Sequence, residues 1–261
     1  MKDKREKKGL LAVSFGTSVN ATREKTIDAI EADFREAFPE YRLYRAWTSG
    51  MIIRKLKKRD QIQIDTVSEA MERMLADGVT EVVVQPTHVI NGVENDQMTA
   101  DVQKYEEHFE RIRFGAPLLT GEEDFCAVVE AVMDEFRDLS LEEALVFMGH
   151  GTAHCANSVY TALYYRFKDM GYPNVFLGTV EAYPSMETLM KLVRASGAGR
   201  VTLAPFMVVA GDHAINDMSG DSDSWKRRFE AEGFAVNCVL KGLGEYRGIR
   251  RLYIKHIQDV L

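Results

Sequence analysis

The chain reads as an α/β protein of two similar lobes, each a parallel sheet flanked by helices, with a cleft between them. Short β-rich runs alternate with stretches of helical periodicity almost throughout, as βαβ units do when they build a parallel sheet. An internal repeat relates the two halves. EVVVQPTHVINGVEND (81–96) resembles RVTLAPFMVVAGDHAIND (200–217) in its strand, its proline and the glycine six residues on, and LLAVSFGTS (10–18) resembles ALVFMGHGTA (144–153). Two copies of one unit, each too small for a large core, are expected to pack as lobes over residues 1–121 and 122–261, with the last helix able to pack back on the first.

In chain order, Leu10 to Phe15 is the first strand. Ser18 or Asn20 can cap the helix behind it, whose Ile27, Ile30, Phe34 and Phe38 recur at three- and four-residue steps until Pro39 stops it. A strand at Tyr41 to Ala46 leads to a helix carrying Val67, Ala70, Met71, Met74 and Leu75, which Gly78 can end, and Glu81 to Pro86 is the third strand. A helix at Glu122 to Arg137 opens the second half. Strands follow at Ala144 to Met148, Asn174 to Val180 and Arg200 to Phe206, with helices at Ser158 to Met170 and Ser185 to Ala195 between them. Phe234 to Leu240 adds a strand, and a helix from about Tyr246 to Val260 closes the chain.

Composition narrows the function classes. Hydrophobic residues at 46% and charged residues at 28% of 261 are ordinary for a packed globular protein. With a net charge of −7 and cations scattered apart from the leader Lys2 to Lys8, a nucleic-acid partner is not expected. The apolar stretch Leu10 to Phe15 is too short for a signal peptide or a membrane span, so the chain is expected in the cytoplasm, with no membrane partner. Cys126, Cys155 and Cys238 lack paired spacing and read as buried free thiols.

Ligands of open parallel sheets bind beyond the carboxyl ends of the strands. Three polar residues occupy that position on successive strands of the second half: His150 after ALVFMG, Glu181 after NVFLGTV and His213 after RVTLAPFMVVAGD. Each interval spans about one βα unit of roughly 30 residues, so the three side chains can share one rim. Two imidazoles and a carboxylate suit a divalent first-row metal with a coordination position left open for a substrate. Spacing alone leaves a ligand role and a structural role open for each. Glu94 falls at the position of His213 when the repeats are aligned on Gly92 and Gly211, and His88 and His154 can border a site. No phosphate-binding glycine pattern is present, so no nucleotide is expected.

With these residues the chain resembles the sirohydrochlorin cobalt chelatases of anaerobic cobalamin biosynthesis, in the chelatase superfamily that includes ferrochelatase. The resemblance runs through LLAVSFGTS, VVVQPTHVINGVEND, VFMGHGT, LGTVEAYP and APFMVVAGDHAINDM, nearly the whole chain. It implies a chelatase-like fold and an enzyme that inserts Co2+, the substrate metal, into sirohydrochlorin. Fe2+ or Ni2+ would be surrogates, and a homo-oligomer is left open. The family's metal-site residues fall on His150, Glu181 and His213, with His150 and His213 also catalytic. The macrocycle's carboxylates call for donors on the rim, for which Thr17 and Ser18 at a helix N-terminus are one source; Glu94 and His88 are further candidates for contact with the substrate. Iron insertion to make sirohaem, and a carrier that binds without turnover, are the alternatives.

Overall fold

A computed structural model describes residues 7–261, so most of the basic leader lies outside the described residues. The chain folds as two compact units, Met1–Thr120 with Arg250–Leu261, and Gly121–Ile249.

Unit 1 runs β1 (Lys8–Ser14), α1 (Asn20–Lys25), α2 (Ile27–Ala37), β2 (Arg42–Trp47), α3 (Gly50–Asp60), α4 (Val67–Ala76), β3 (Glu81–Pro86), α5 (Val93–Gln103) and β4 (Arg111–Phe114). Its four strands are all parallel, in the order β2-β1-β3-β4. One face of the sheet packs Leu11, Val13, Val82 and Val84 against Ala70, Met71 and Met74 of α4 and Met98 of α5. The chain's last residues belong to this unit: Tyr253 donates its hydroxyl hydrogen to the Thr87 carbonyl at 2.8 Å, and His256 Nδ1 meets the Ala116 carbonyl at 3.0 Å.

Unit 2 runs α6 (Glu122–Glu135), β5 (Glu143–Gly149), α7 (Ser158–Asp169), β6 (Val175–Thr179), α8 (Met186–Ala195), β7 (Arg200–Pro205), a π-helical turn (His213–Met218), α9 (Trp225–Ala231) and β8 (Ala235–Cys238), and α10 (Arg247–Gln258) begins in it. Its sheet is again all parallel, in the order β6-β5-β7-β8. Val146, Met148, Val201 and Leu203 pack on Leu189, Val193, Trp225 and Phe229, which buries the continuous apolar runs expected of strands covered on both faces.

The order of strands in the two sheets is the same, and so is the detail. Thr87 donates to the Val13 carbonyl and Phe206 to that of Met148, both at 2.7 Å; Ser49 donates to the Phe15 carbonyl at 3.2 Å and Glu181 to that of His150 at 2.9 Å. Gly16 and Gly151 share a left-handed backbone, with φ of 101° and 84°. The repeat is therefore a repeat of backbone, in which Phe15, Ser49 and Glu94 of unit 1 correspond to His150, Glu181 and His213 of unit 2.

Several expectations need correction. The first helix is broken at Thr26, whose backbone leaves the helical region (φ −120°, ψ −83°) while its hydroxyl turns back to the Thr22 carbonyl. Neither Ser18 nor Asn20 caps it; Val19 takes that position, without a side-chain bond. The three thiols are free but not buried: Cys126 and Cys238 are half-buried, the latter closing an edge strand, and Cys155 is exposed in the short turn ahead of α7.

Candidate metal centre

His150, Glu181 and His213 come together at the carboxyl end of the unit 2 sheet. Each can offer one ligand atom, and the three atoms lie within 4.8 Å of one another. The imidazole rings stand edge to face, centroids 4.8 Å apart and planes at 88°. Bonds of about 2.1 Å place ligand atoms roughly 3 to 3.5 Å apart around one ion, so closing the cluster asks for movements of about an ångström.

The backbone sets this convergence. The amide of Glu181 donates to the His150 carbonyl at 2.9 Å and that of Val180 to the Gly149 carbonyl at 3.0 Å, which lays the loop after β6 directly on the loop after β5. Gly151 permits it. A Cβ there would stand 2.8 Å from Thr179 Cβ and 2.9 Å from the Ala182 nitrogen, on a backbone with positive φ that side chains disfavour. Asn157 ties the same loops from outside, accepting from the Thr152 amide at 3.0 Å and donating to the Tyr183 carbonyl at 2.6 Å. On the far side, the π-helical turn that begins at His213 is anchored by Ala214 and Met218, both fully buried in the unit 2 core. Single π turns of this kind recur at functional sites.

The three side chains are open to a large ligand. His150 and His213 keep 41% and 37% of their side-chain surface and Glu181 keeps 55%. Two exposed apolar residues flank them, Tyr183 two residues beyond Glu181 and Ile215 two beyond His213. His150 Nδ1 meets the Gly151 carbonyl at 2.8 Å and lies 3.8 Å from a Glu181 oxygen, while His213 Nδ1 meets Asp217 Oδ2 at 2.6 Å. That carboxylate carried no signal in the sequence.

The remaining candidates are in unit 1. Glu94 is exposed in the first turn of α5. Thr17 and Ser18 are buried, and the Ser18 hydroxyl accepts from the Lys55 ammonium at 3.0 Å while its carbonyl accepts from Arg59 at 2.7 Å. The two cations lie on α3, a helix that sequence periodicity did not mark. In unit 2, His154 is half-buried, its Nδ1 accepting from the Ala156 amide at 3.2 Å.

His88 is buried, and neither ring nitrogen makes a hydrogen bond of normal geometry. Burial holds its pKa down at about 4, although Glu94 and Asn95 nearby favour the charged form. Unfolding frees it to bind a proton below its ordinary value of 6.5, so the unfolded state binds more protons than the folded one. Stability is thus expected to fall by roughly 3 kcal/mol as pH drops from 6.5 towards 4. Urea unfolding midpoints for the natural chain and His88→Leu across that range check this. Parallel slopes would mean that the imidazole is not the titrating group.

The cobalt chelatase (CbiK) family profile matches residues 8–261. The sirohydrochlorin cobaltochelatase of Salmonella typhimurium is 43% identical over 256 residues, covering 98% of this chain and 97% of that protein. The sirohydrochlorin cobaltochelatase CbiKC of Nitratidesulfovibrio vulgaris is 34% identical over 255 residues, 96% of this chain and 89% of that one. Among solved structures, the sirohydrochlorin chelatase SirB from Bacillus subtilis subspecies spizizenii, in complex with cobalt, superposes with a TM-score of 0.65 at 13% identity, covering 97% of this chain and 94% of its own. At that identity the likeness is one of fold.

Proposed function

The chain belongs to the cobalt chelatase (CbiK) family, and we propose that it inserts Co2+ into sirohydrochlorin with release of two protons, in the anaerobic cobalamin pathway of the cytoplasm. The observation that carries this reading is the meeting of His150, Glu181 and His213 on one sheet rim. These residues hold the substrate metal and leave coordination positions for the incoming pyrrole nitrogens.

Insertion requires the ion to shed water and the macrocycle to lose two N–H protons. Two imidazoles and a carboxylate replace part of the hydration shell, and as the metal moves on the two freed imidazoles take one pyrrole proton each and pass them to water. Tyr183 and Ile215, exposed beside the ligands, offer apolar contact to the conjugated ring. The ring's carboxylates need cations and polar donors. In unit 1 the Thr17–Ser18 loop, held by Lys55 and Arg59, carries donors of that kind, whereas the Glu94 carboxylate would repel those of the ring and the ring nitrogens of His88 are buried.

Histidine and carboxylate ligands separate Co2+ from Fe2+ and Ni2+ poorly, so surrogate insertion in vitro is expected. The test is the absorbance change of sirohydrochlorin on mixing with substoichiometric protein and Co2+, repeated with Fe2+ in competition. Multiple turnovers with Co2+ are the expected result. Stoichiometric binding without turnover would make the protein a carrier, and preferential turnover of Fe2+ would make it a sirohaem enzyme.

A further inference from the structure

His213 has a partner that nothing in its spacing or in the ligand set requires. Its Nδ1 lies 2.6 Å from Asp217 Oδ2, within the π-helical turn whose Ala214 and Met218 are locked in the core. An ionised carboxylate can only accept, so Nδ1 carries the hydrogen and the lone pair is left on Nε2. We infer that Asp217 is a positioning residue for metal binding, holding His213 in the tautomer and ring orientation that present Nε2 to the ion. The inference rests on the metal site proposed above.

The two imidazoles are then unequal. His150 Nδ1 faces the carbonyl of Gly151, a neutral acceptor supplied by the next residue of the chain. His213 faces a full negative charge through a short, charge-assisted bond, which makes Nε2 the better electron donor of the pair. His213 is the anchor of the ion, and His150 the ligand more readily exchanged. A merely structural role for the pair is weakly supported, because the side chains of His213 and Asp217 keep 37% and 47% of their exposure and pairs that exposed contribute little to folding.

The full-length chain is titrated with Co2+ in the absence of tetrapyrrole, followed by calorimetry and by the visible d–d bands of the bound ion. Loss of an outer carboxylate partner typically costs 10- to 100-fold in metal affinity, so D217A is expected to bind about that much more weakly, with altered d–d bands and an unchanged melting temperature. D217N keeps an acceptor without the charge and is expected to lose less; it also serves if D217A folds poorly. D221N, which removes a carboxylate exposed in the loop beyond the same turn, is expected to bind as the natural chain does. Affinity and bands of D217A and D217N unchanged from the natural chain, or an equal loss in D221N, would overturn the inference. H213A in the same titration separates the two readings: if it too binds Co2+ normally the metal site falls and Asp217 with it, whereas loss in H213A alone removes only Asp217.

Discussion

Replacing His213 by alanine is expected to lower multiple-turnover cobalt insertion by at least ~100-fold, since loss of an outer partner alone already costs up to that much and here the ligand itself goes. The fold is expected to survive. The side chain is 37% exposed, and the turn beneath it is held by Ala214 and Met218 rather than by the imidazole. Sirohydrochlorin absorbance under excess Co2+ gives the rate, and thermal unfolding gives the control. An unaltered turnover number would remove His213 from the site. A large drop in melting temperature with unaltered metal affinity would instead make it a structural residue.

Gly151→Ala should show the second large effect without touching any ligand. The left-handed backbone alone costs a side chain about 1–2 kcal/mol. The new methyl group would also meet Thr179 Cβ at 2.8 Å and the Ala182 nitrogen at 2.9 Å, and the second of these is backbone, which cannot swing aside. Relief requires the loop after β6 to move away, carrying Glu181 off His150. A displacement near 1 Å can cost on the order of 100-fold in rate. Gly171→Ala is the matched control, because Gly171 has a similar φ of 89° and nothing within 4 Å of its added carbon. If the two variants lose stability equally and both keep full insertion activity, crowding at Gly151 does not position the site.

Most strands of both sheets, and most of the helices that cover them, were legible because continuous apolar runs and three- or four-residue steps mark buried surfaces directly. Three unit 1 elements were not, nor was the seven-residue α9 of unit 2, too short to show a period. In α3 only Leu56 is buried, and the run of cations around it hides any apolar stripe. In α5 only Met98 and Val102 reach the core, too few to set a period, and β4 is a short edge strand with no fully buried residue. The break at Thr26, a buried residue whose hydroxyl turns back to the Thr22 carbonyl, falls in the middle of good helical spacing. At the site, strand-end position and intervals of about one βα unit pointed to His150, Glu181 and His213 on a shared rim. Their convergence depends on the hydrogen bonds between the β5 and β6 loops and on a π turn, neither of which leaves a compositional trace. Asp217 was invisible for the same reason.

The shared backbone of the two units has a stoichiometric consequence. Where unit 2 presents His150, Glu181 and His213, unit 1 presents Phe15, Ser49 and Glu94 on the same turns, and an aromatic ring, a hydroxyl that caps α3 and a lone carboxylate make no ligand set. Among the described residues one cluster can hold an ion. The chain is duplicated in architecture and single in coordination chemistry. If His150, Glu181 and His213 hold the metal as proposed, each polypeptide loads one ion at a time there, and the copy in unit 1 is left to diverge as a surface for something other than an ion.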